Sequence, residues 1–252
     1  MSLQGYTVLV TGAAAGLGRG IALALASDGA HVIVASLSES GQAVVDEITA
    51  LGQHATWTRC DVTDQRQVTD AVGKAVTSTG RLDALVHNAT SNASSQPHQL
   101  TEVERSLWDD HFAVSLGGAH HCATAAFEPL RVQGGTFVAM TSPAGIEGSA
   151  TLPLYATMKG ALRGFTKSLA REWAPHRITV NLVSPLAYSP AMTAAIEAEP
   201  AMEARLARRV PLGRIGDPQQ DVGAAVGFLI GPAARYVTGQ TLGVDGGHYT
   251  NL

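Results

Sequence analysis

A phenol, an ammonium group and a hydroxyl occur close together in the middle of this 252-residue sequence. Tyr155 and Lys159 are four residues apart, so a helix would place both side chains on one face, where the cation would lower the pKa of the phenol. Ser142 precedes them, at the end of an apolar run. These groups suit the protonation of an oxygen that becomes negative, as in hydride transfer to a carbonyl. For an isolated Tyr-x-x-x-Lys pair the alternative is a structural role.

A strand, a glycine-rich loop and a helix are predicted near the N-terminus. Residues 6–10 are apolar and β-branched, as in a strand buried on both faces. Gly12, Gly16 and Gly18 follow, and they would allow a tight turn, close approach of a ligand and close packing of a helix over 17–27. The N-terminus of that helix would point into the loop and bind a pyrophosphate. Turn formation alone is the alternative for such glycines.

The rest of the chain alternates between predicted strands and predicted helices. Further strands are predicted over 29–35, 55–60, 82–87, 134–142, 178–183 and 239–245. Further helices are predicted over 39–51, 67–79, two stretches within 101–130, 153–174 and 217–230. The expected fold is α/β, with one doubly wound (Rossmann-type) domain over residues 1–252, about seven parallel strands and helices on both faces. Ligands of such sheets bind at the carboxyl ends of the strands, and residues 186–215 are predicted to leave the sheet and cover the substrate.

Composition limits the partners and the location. Lys and Arg number 17 against 21 Asp and Glu, without a basic block, so neither nucleic acid nor a membrane is expected as a partner. No leader and no apolar run of membrane-spanning length is visible, which predicts a cytoplasmic protein. Cys60 and Cys122 are expected to be core thiols. His120 and His121 would point about 100° apart on a helix, so no metal site is predicted.

Several separated motifs resemble those of the classical short-chain dehydrogenases/reductases, and the resemblance spans nearly the whole chain. The matching segments are residues 11–18 (cofactor loop), 61–62 (adenine contact), 88–89 (after the fourth strand), Pro185 (nicotinamide side), and 214–218 with 238–247 (C-terminal signature). Ser142, Tyr155 and Lys159 match the catalytic residues of the family. The resemblance implies an NAD(P)-dependent oxidoreductase that interconverts a secondary alcohol and a ketone or 3-oxo compound.

The same resemblance implies a role for each residue. Tyr155 would be the general acid/base, and Ser142 would hydrogen-bond the substrate oxygen. Lys159 would bind the nicotinamide ribose and lower the Tyr155 pKa. The expected cofactor contacts are Gly12, Ala15, Gly16, Leu17, Gly18, Ser36, Leu37, Asp61, Val62, Asn88, Ala89, Tyr155, Lys159, Pro185 and Leu186.

Some positions depart from the family pattern. Thr90 and Leu186 replace glycines that follow the fourth-strand motif and Pro185. Ser115, which we include among the candidate catalytic residues, stands where the family has its relay asparagine. His87 ends a buried strand and is expected to be a satisfied polar core residue. The departures support a second hypothesis, that the chain binds the cofactor but has weak or no turnover.

The choice of cofactor depends on the end of the second strand. Ser36 stands where NAD-using relatives carry the aspartate that holds the ribose, so the barrier to NADP is lowered. Leu37 and Ala15, however, occupy positions that are basic in NADP-using relatives. Ser38 and Arg19 could add hydrogen bonds or charge. The expected cofactor is NADP or NAD, with weak discrimination and a slight preference for NADP.

The resemblance also implies a homodimer or homotetramer that packs through its fourth and fifth helices. Residues 112–127 and 161–169 would supply small and apolar faces. Within the first range these are Phe112, Ala113, Leu116, Ala119, Ala123 and Ala126.

Overall fold

Seven parallel strands form one sheet in the order β3-β2-β1-β4-β5-β6-β7 in the computed structural model, which describes residues 2–250. The strands are β1 (Thr7–Thr11), β2 (His31–Ser36), β3 (Ala55–Arg59), β4 (Ala84–His87), β5 (Thr136–Met140), β6 (Thr179–Pro185) and β7 (Thr241–Val244). Every neighbouring pair is parallel. The carboxyl ends of all the strands therefore lie along one edge of the sheet, called the carboxyl edge below.

Helices connect the strands and cover both faces of the sheet. They are α1 (Gly16–Ser27), α2 (Gly41–Ala50), α3 (Gln65–Thr79), α4 (Arg105–His111), α5 (Gly118–Gln133), α6 (Ala144–Glu147), α7 (Pro153–Trp173), α8 (Pro190–Ala198), α9 (Ala201–Ala207) and α10 (Ala224–Ile230). Two π-helical segments, Phe112–Gly117 and Pro218–Gly223, join α4 to α5 and lead into α10. The predicted α/β doubly wound fold is confirmed.

The alternation of side chains along each strand divides the core into two layers. In β1, Val8 and Val10 face one layer, which also holds the apolar sides of α1, α2 and α10. Leu9 faces the other layer, together with α3, α5 and α7. Burial on both faces explains why the strands are continuous apolar runs.

Capping residues stand at the ends of several helices. The Asp64 side chain accepts a hydrogen bond from the Arg66 N–H at 2.9 Å, and Gly80 ends α3 with a φ of 79°. Asp217 accepts from the N–H groups of Gln219 and Gln220, at 2.8 and 2.7 Å. Between Arg105 and Gln133 the two predicted stretches are instead continuous, because the π-helix joins them.

The expected oligomer face needs a correction at three positions. Ala119, Ala123 and Ala126 are at most 3% exposed and pack inside the layer that covers α3, so they cannot contact a second chain. Phe112 is 48% exposed, and Leu116 is partly exposed. The sequence shows that these side chains are small or apolar, but not which of them face inwards.

Residues 187–216 leave the sheet after β6 and return at almost the same point. Ala187 pairs with Gly216 in a parallel bridge, and the Tyr188 N–H donates to the Gly216 carbonyl at 3.0 Å. The helices α8 and α9 lie between these two ends. Among residues 2–250, no helix is both long enough and apolar enough to cross a membrane.

Candidate active site

The glycine loop between β1 and α1 is packed tightly against the end of β4. Gly12 has a φ of 64°, and the Asn88 side-chain amide donates to the carbonyls of Thr11 and Gly12, both at 3.1 Å. A Cβ atom on Gly12 would lie 3.0 Å from the Ala89 Cα, and one on Gly18 would lie 2.2 Å from the Gly12 oxygen. Space therefore requires glycine at both positions, and at Gly12 the backbone conformation requires it as well.

The first turn of α1 offers donors to an anion. Ala15 makes no side-chain cap, and no acidic residue lies in the first turn. The N–H groups of this turn are therefore free of side-chain partners, and the helix dipole favours negative charge there. These features fit the pyrophosphate of a dinucleotide, as the sequence predicts.

The two residues expected to contact the adenine, Asp61 and Val62, begin the loop after β3. Asp61 accepts hydrogen bonds from the Thr63 N–H and hydroxyl, at 2.9 and 2.7 Å. The Val62 carbonyl accepts from His121 Nδ1 at 2.8 Å. Both residues thus lie at the carboxyl edge, in a loop held by hydrogen bonds within itself and to α5.

His87 connects the glycine loop to the π-helix that carries Ser115. Its Nε2 lies 3.0 Å from the Ser115 carbonyl, which can only accept, so Nε2 carries the proton. Nδ1 is then the acceptor for the Thr11 hydroxyl at 3.3 Å. That hydroxyl in turn accepts from the N–H groups of Asn88 and Ala89, at 3.1 and 3.2 Å.

Burial keeps His87 neutral. Desolvation, followed by repulsion from the Lys159 ammonium, lowers the His87 pKa from 6.5 to about 4, although the hydrogen bond to Ser115 opposes this shift. The expectation of a satisfied core histidine is confirmed. Its position between two parts of the site could not be foreseen, because the sequence does not show which helix packs against the end of β4.

The helix α7 brings Tyr155 and Lys159 together at the carboxyl edge. The Lys159 Nζ lies 5.4 Å from the centre of the Tyr155 ring and donates a hydrogen bond to the Met140 carbonyl at 2.8 Å. Desolvation lowers the Lys159 pKa to about 8. Ser142, which follows β5, is hydrogen-bonded through its side chain to Tyr155. The three residues predicted to form a catalytic group are therefore neighbours in space.

The predicted direction of the Tyr155 pKa is wrong. Desolvation raises this pKa above its ordinary value of 10.0, and the hydrogen bond with Ser142 offsets only part of the increase. Lys159 directs its hydrogen bond at Met140 rather than at the phenol. Sequence spacing gives the separation of two side chains along a helix. It does not show how deeply each side chain is buried, and burial dominates the Tyr155 pKa.

A close crossing of α6 over α7 positions these groups. A Cβ atom on Gly145 would lie 2.5 Å from the Lys159 carbonyl carbon and 2.7 Å from the Gly160 nitrogen. Only glycine allows α6, which follows Ser142, to approach α7 so closely. The sequence analysis missed Gly145, and its only signal is a glycine three residues after Ser142.

Ser115 is placed differently from the predicted catalytic group. It is 1% exposed and lies in the π-helix, where its carbonyl accepts from His87. Within residues 2–250, no hydrogen bond joins the Ser115 hydroxyl to Tyr155 or Lys159. The structure therefore does not bring its side chain into the group formed by Ser142, Tyr155 and Lys159.

The two glycine replacements are accommodated without backbone strain. Among the described non-glycine residues, only Arg177 has a positive φ, so neither Thr90 nor Leu186 occupies a conformation that requires glycine. The Leu186 N–H donates to the Val244 carbonyl at 3.0 Å, and its own carbonyl accepts from Gly216 at 3.1 Å. Leu186 thus anchors the start of the 187–216 segment.

The 187–216 segment lies on the glycine loop. A Cβ atom on Gly16 would be 2.7 Å from Pro190 Cδ, so α8 begins directly over the loop. Ser189 caps α8 by accepting from the Met192 N–H at 3.2 Å. A cavity of about 470 Å³ lies beside this contact and is lined in part by Arg19, Tyr188 and Glu197.

At the expected ribose end of the cleft, the side chains of Ser36 and Arg19 already have hydrogen-bond partners. The Ser36 hydroxyl donates to the Ser38 carbonyl at 2.8 Å and accepts from Trp57 Nε1 at 2.9 Å. Ser36 is only 3% exposed, whereas Leu37 is 54% exposed. Arg19 Nε donates to Glu47 Oε2 at 3.0 Å. Ser36 has therefore used its only proton, and the charge of Arg19 is balanced.

Comparison with known proteins gives similarity over nearly the whole chain. The family model described as enoyl-(acyl carrier protein) reductase matches residues 12–249. A 3-oxoacyl-(acyl-carrier-protein) reductase from Staphylococcus aureus is 36% identical over 246 residues, which cover 96% of this chain and 98% of the relative. A short-chain reductase protein from Streptomyces niveus is 36% identical over 250 residues, 97% of this chain and 94% of its own length.

Two solved structures are similar over the same extent. A 3-ketoacyl-(acyl-carrier-protein) reductase from Brucella melitensis, in complex with NADH, gives a TM-score of 0.87 at 29% identity and covers 98% of this chain and 99% of its own. A protein from Sinorhizobium meliloti described as a putative short-chain alcohol dehydrogenase gives a TM-score of 0.89 at 34% identity. That match covers 98% of this chain and 97% of the other. The similarity therefore includes both the glycine loop and the helix that carries Tyr155.

Proposed function

The chain belongs to the classical short-chain dehydrogenase/reductase family and is an NAD(P)-dependent oxidoreductase, and we propose that it interconverts a secondary alcohol and a ketone or 3-oxo compound with Tyr155 as general acid/base. One observation carries this proposal. Ser142, Tyr155 and Lys159 meet at the carboxyl edge of β5, two strands from the glycine loop. An acid, a hydroxyl donor and a cation lie together where such sheets bind their ligands.

Each of these residues has a distinct task in the proposed reaction. A bound nicotinamide cofactor supplies or accepts the hydride. Tyr155 is protonated at neutral pH because its pKa lies above the ordinary phenol value of 10.0, so in the reductive direction it holds the proton that the substrate oxygen needs. Ser142 donates a hydrogen bond to the same oxygen. Lys159, which is charged below about pH 8, stabilises the phenolate that remains after proton transfer.

The cofactor would lie along the carboxyl edge, from the glycine loop to the end of β2. The pyrophosphate would bind the first turn of α1, between Gly12 and Gly18. Asp61 and Val62 would flank the adenine, and Asn88 with Ala89 would support the loop beneath it. The neutral Ser36 in place of a carboxylate supports NADP over NAD, since no charge at this position repels a 2′-phosphate.

The substrate proposal rests on the relatives as well as on the cleft. Relatives that are similar over their whole length act on 3-oxoacyl groups carried on a protein, according to their names. We extend to this chain only the shared chemistry, a ketone next to an acyl thioester. The 187–216 segment would cover this substrate, because α8 already lies on the glycine loop.

The test is turnover with a panel of ketones and 3-oxoacyl thioesters, each with NADPH and with NADH. Oxidation of the cofactor that depends on a 3-oxo substrate is expected, and the Tyr155→Phe variant should lack it. Cofactor binding with no turnover across the panel would instead establish the second hypothesis, a binding protein. The observation that supports that alternative is that, within residues 2–250, the Ser115 hydroxyl makes no hydrogen bond with Tyr155.

We further propose that the chain forms a symmetric dimer or a tetramer. The exposed Phe112 and the partly exposed Leu116 on the run from α4 to α5, together with residues 161–169 of α7, provide the surface. A two-fold axis would place these helices against their copies.

A further inference from the structure

We propose that Arg59 is the residue that recognises the 2′-phosphate of NADP, an inference that rests on the proposed function. Arg59 is the last residue of β3, and its Cα is in register with that of Ser36, the last residue of β2. Neighbouring strands are about 4.8 Å apart, so a long arginine side chain on β3 reaches readily beyond the end of β2. The cation that positions 15 and 37 lack is thus supplied from the next strand.

The side chains of Ser36 and Arg59 leave the sheet on the same face. The hydrogen bond between Ser36 Oγ and Trp57 Nε1 places those two side chains on one face. Arg59 is two residues after Trp57 on the same strand, and so points to that face as well. The intervening Thr58 accepts a hydrogen bond from Lys74 of α3 at 2.9 Å, which puts Thr58 and α3 on the opposite face.

The face shared by Ser36 and Arg59 is the one covered by α2. A Cβ atom on Gly41, the first residue of α2, would lie 2.4 Å from Ser36 Oγ and 2.4 Å from Trp57 Cδ1. The start of α2 therefore packs directly on these two side chains. Arg59, beyond Trp57 at the carboxyl edge, emerges beside the loop that leads into α2.

Arg59 is the unneutralised cation at this corner. It is exposed, and within residues 2–250 it makes neither an ion pair nor a side-chain hydrogen bond. Arg19 is bound to Glu47, and Lys74 lies on the other face. The loop itself carries one acid, Glu39, which is exposed and makes no ion pair with any residue that the structure describes.

The surrounding groups suit a phosphate monoester better than a free hydroxyl. Ser38 and Ser40 share a hydrogen bond at 2.9 Å between their hydroxyls, which leaves one proton for an acceptor. No acidic residue lies in the first turn of α2. Arg59 would add the charge, and a planar guanidinium can donate two hydrogen bonds to one phosphate. Ser36 contributes mainly by being neutral, since its proton is donated to Ser38.

The test separates the 2′-phosphate from the rest of the cofactor by measuring calorimetric affinities for 2′,5′-ADP and 5′-AMP. The wild-type chain should bind 2′,5′-ADP more tightly. Arg59→Gln should weaken the affinity for 2′,5′-ADP at least tenfold and change the affinity for 5′-AMP by less than twofold, because only 2′,5′-ADP carries the extra phosphate. Arg59→Lys should recover part of the loss, and the preference should shrink at high ionic strength.

Arg66→Gln is the matched control. Arg66 is also an exposed arginine, and its Nε lies 3.7 Å from Asp64 Oδ1. It is in the first turn of α3, whereas Arg59 lies on the face of the sheet that α2 covers. This variant should bind both nucleotides as the wild type does. If Arg59→Gln and Arg66→Gln lost the same affinity for 2′,5′-ADP, the loss would be due to net charge and the proposal would be overturned. An unchanged preference of Arg59→Gln for 2′,5′-ADP over 5′-AMP would also overturn it. If the wild type bound neither nucleotide nor NADH, the proposed function itself would fail.

Discussion

At Tyr155, one phenol is subject to opposing influences. Burial raises its pKa and the hydrogen bond with Ser142 lowers it, with burial dominant. Lys159 lies against the ring face and spends its hydrogen bond on Met140. The residue is therefore held as an acid, ready to give up its proton once negative charge appears on a neighbouring oxygen.

Removing only that proton should stop the reaction. Tyr155→Phe keeps the ring that packs beside Lys159 but deletes the donor, so kcat should fall by about 10²-fold or more. NADPH affinity, measured by fluorescence titration, should change little. Tyr236→Phe is the control, because Tyr236 is fully exposed and should tolerate the same change. A Tyr155→Phe enzyme with wild-type kcat would refute the assignment.

His87 should make the free energy of unfolding depend on pH. Its pKa is about 4 in the folded chain and near 6.5 when unfolded, so between these values the unfolded state binds more protons. Stability should therefore fall as the pH drops from 6.5 towards 4, by about 3 kcal/mol from this residue.

His87→Asn should remove that contribution. Urea unfolding at pH 7 and pH 4.5 should show a difference about 2 kcal/mol smaller in the variant than in the wild type. His120→Asn changes an exposed histidine on α5 and should retain the wild-type difference. An identical pH difference in all three proteins would show that His87 is not held neutral.

At the scale of the elements, strands were the easiest to predict. Buried parallel strands such as β1 and β5 are unbroken apolar runs, and Asp64 with Gly80 marked α3 by local chemistry. The π-helix at Phe112–Gly117 had no comparable signal, since its residues also fit an ordinary helix. The segment carries the Ser115 carbonyl that accepts a hydrogen bond from His87, and this contact joins residues far apart in the sequence.

The crossing of α6 and α7 gives an element-scale prediction. Gly145→Ala would insert a methyl group where the Lys159 backbone lies, so α6 must shift, at a cost of about 1–3 kcal/mol in the free energy of unfolding. The shift would also move Ser142 away from Tyr155. The fold-decrease in kcat should therefore be larger than the fold-decrease in NADPH affinity.

Gly73→Ala supplies the comparison for Gly145→Ala. Gly73 lies within α3, and a Cβ atom there meets nothing within 4 Å. This variant should be as stable as the wild type or up to about 1 kcal/mol more stable, because alanine is the better helix former. Urea titration and steady-state kinetics of both variants check the prediction; equal effects would mean that the α6–α7 contact is not tight.

For the whole molecule, the assembly is the main prediction. Light scattering at micromolar concentration should give the mass of a dimer or tetramer for the wild type. Phe112→Asp puts a charge on the proposed interface and should lower that mass. Leu51→Asp makes the same kind of change at the end of α2, where Leu51 is 59% exposed, and should leave the mass unchanged. A monomeric wild type would contradict the proposal.

The candidate site was predictable in its membership but less so in its orientations. Motif spacing located the glycine loop and the Tyr155 group, because both are short segments that follow strands. The turning of Ser36 towards Trp57, the burial of Tyr155 and the position of Arg59 depend on neighbouring strands and on α2. Such contacts join residues far apart in the sequence, and so no local pattern reveals them.

The bridge between Ala187 and Gly216 makes the segment between them an exchangeable cassette. Its two ends meet in one hydrogen-bonded pair, so a graft of different length or composition would start and finish on the same two residues. The ends of β1 and β5, which the glycine loop and Ser142 follow, would keep their places, because they are fixed by sheet register rather than by the cassette. The contact of Pro190 with Gly16 is the feature that a graft would have to preserve. We therefore expect that exchanging this segment, which is proposed to cover the substrate, would change substrate choice and leave Ser142, Tyr155 and Lys159 in place.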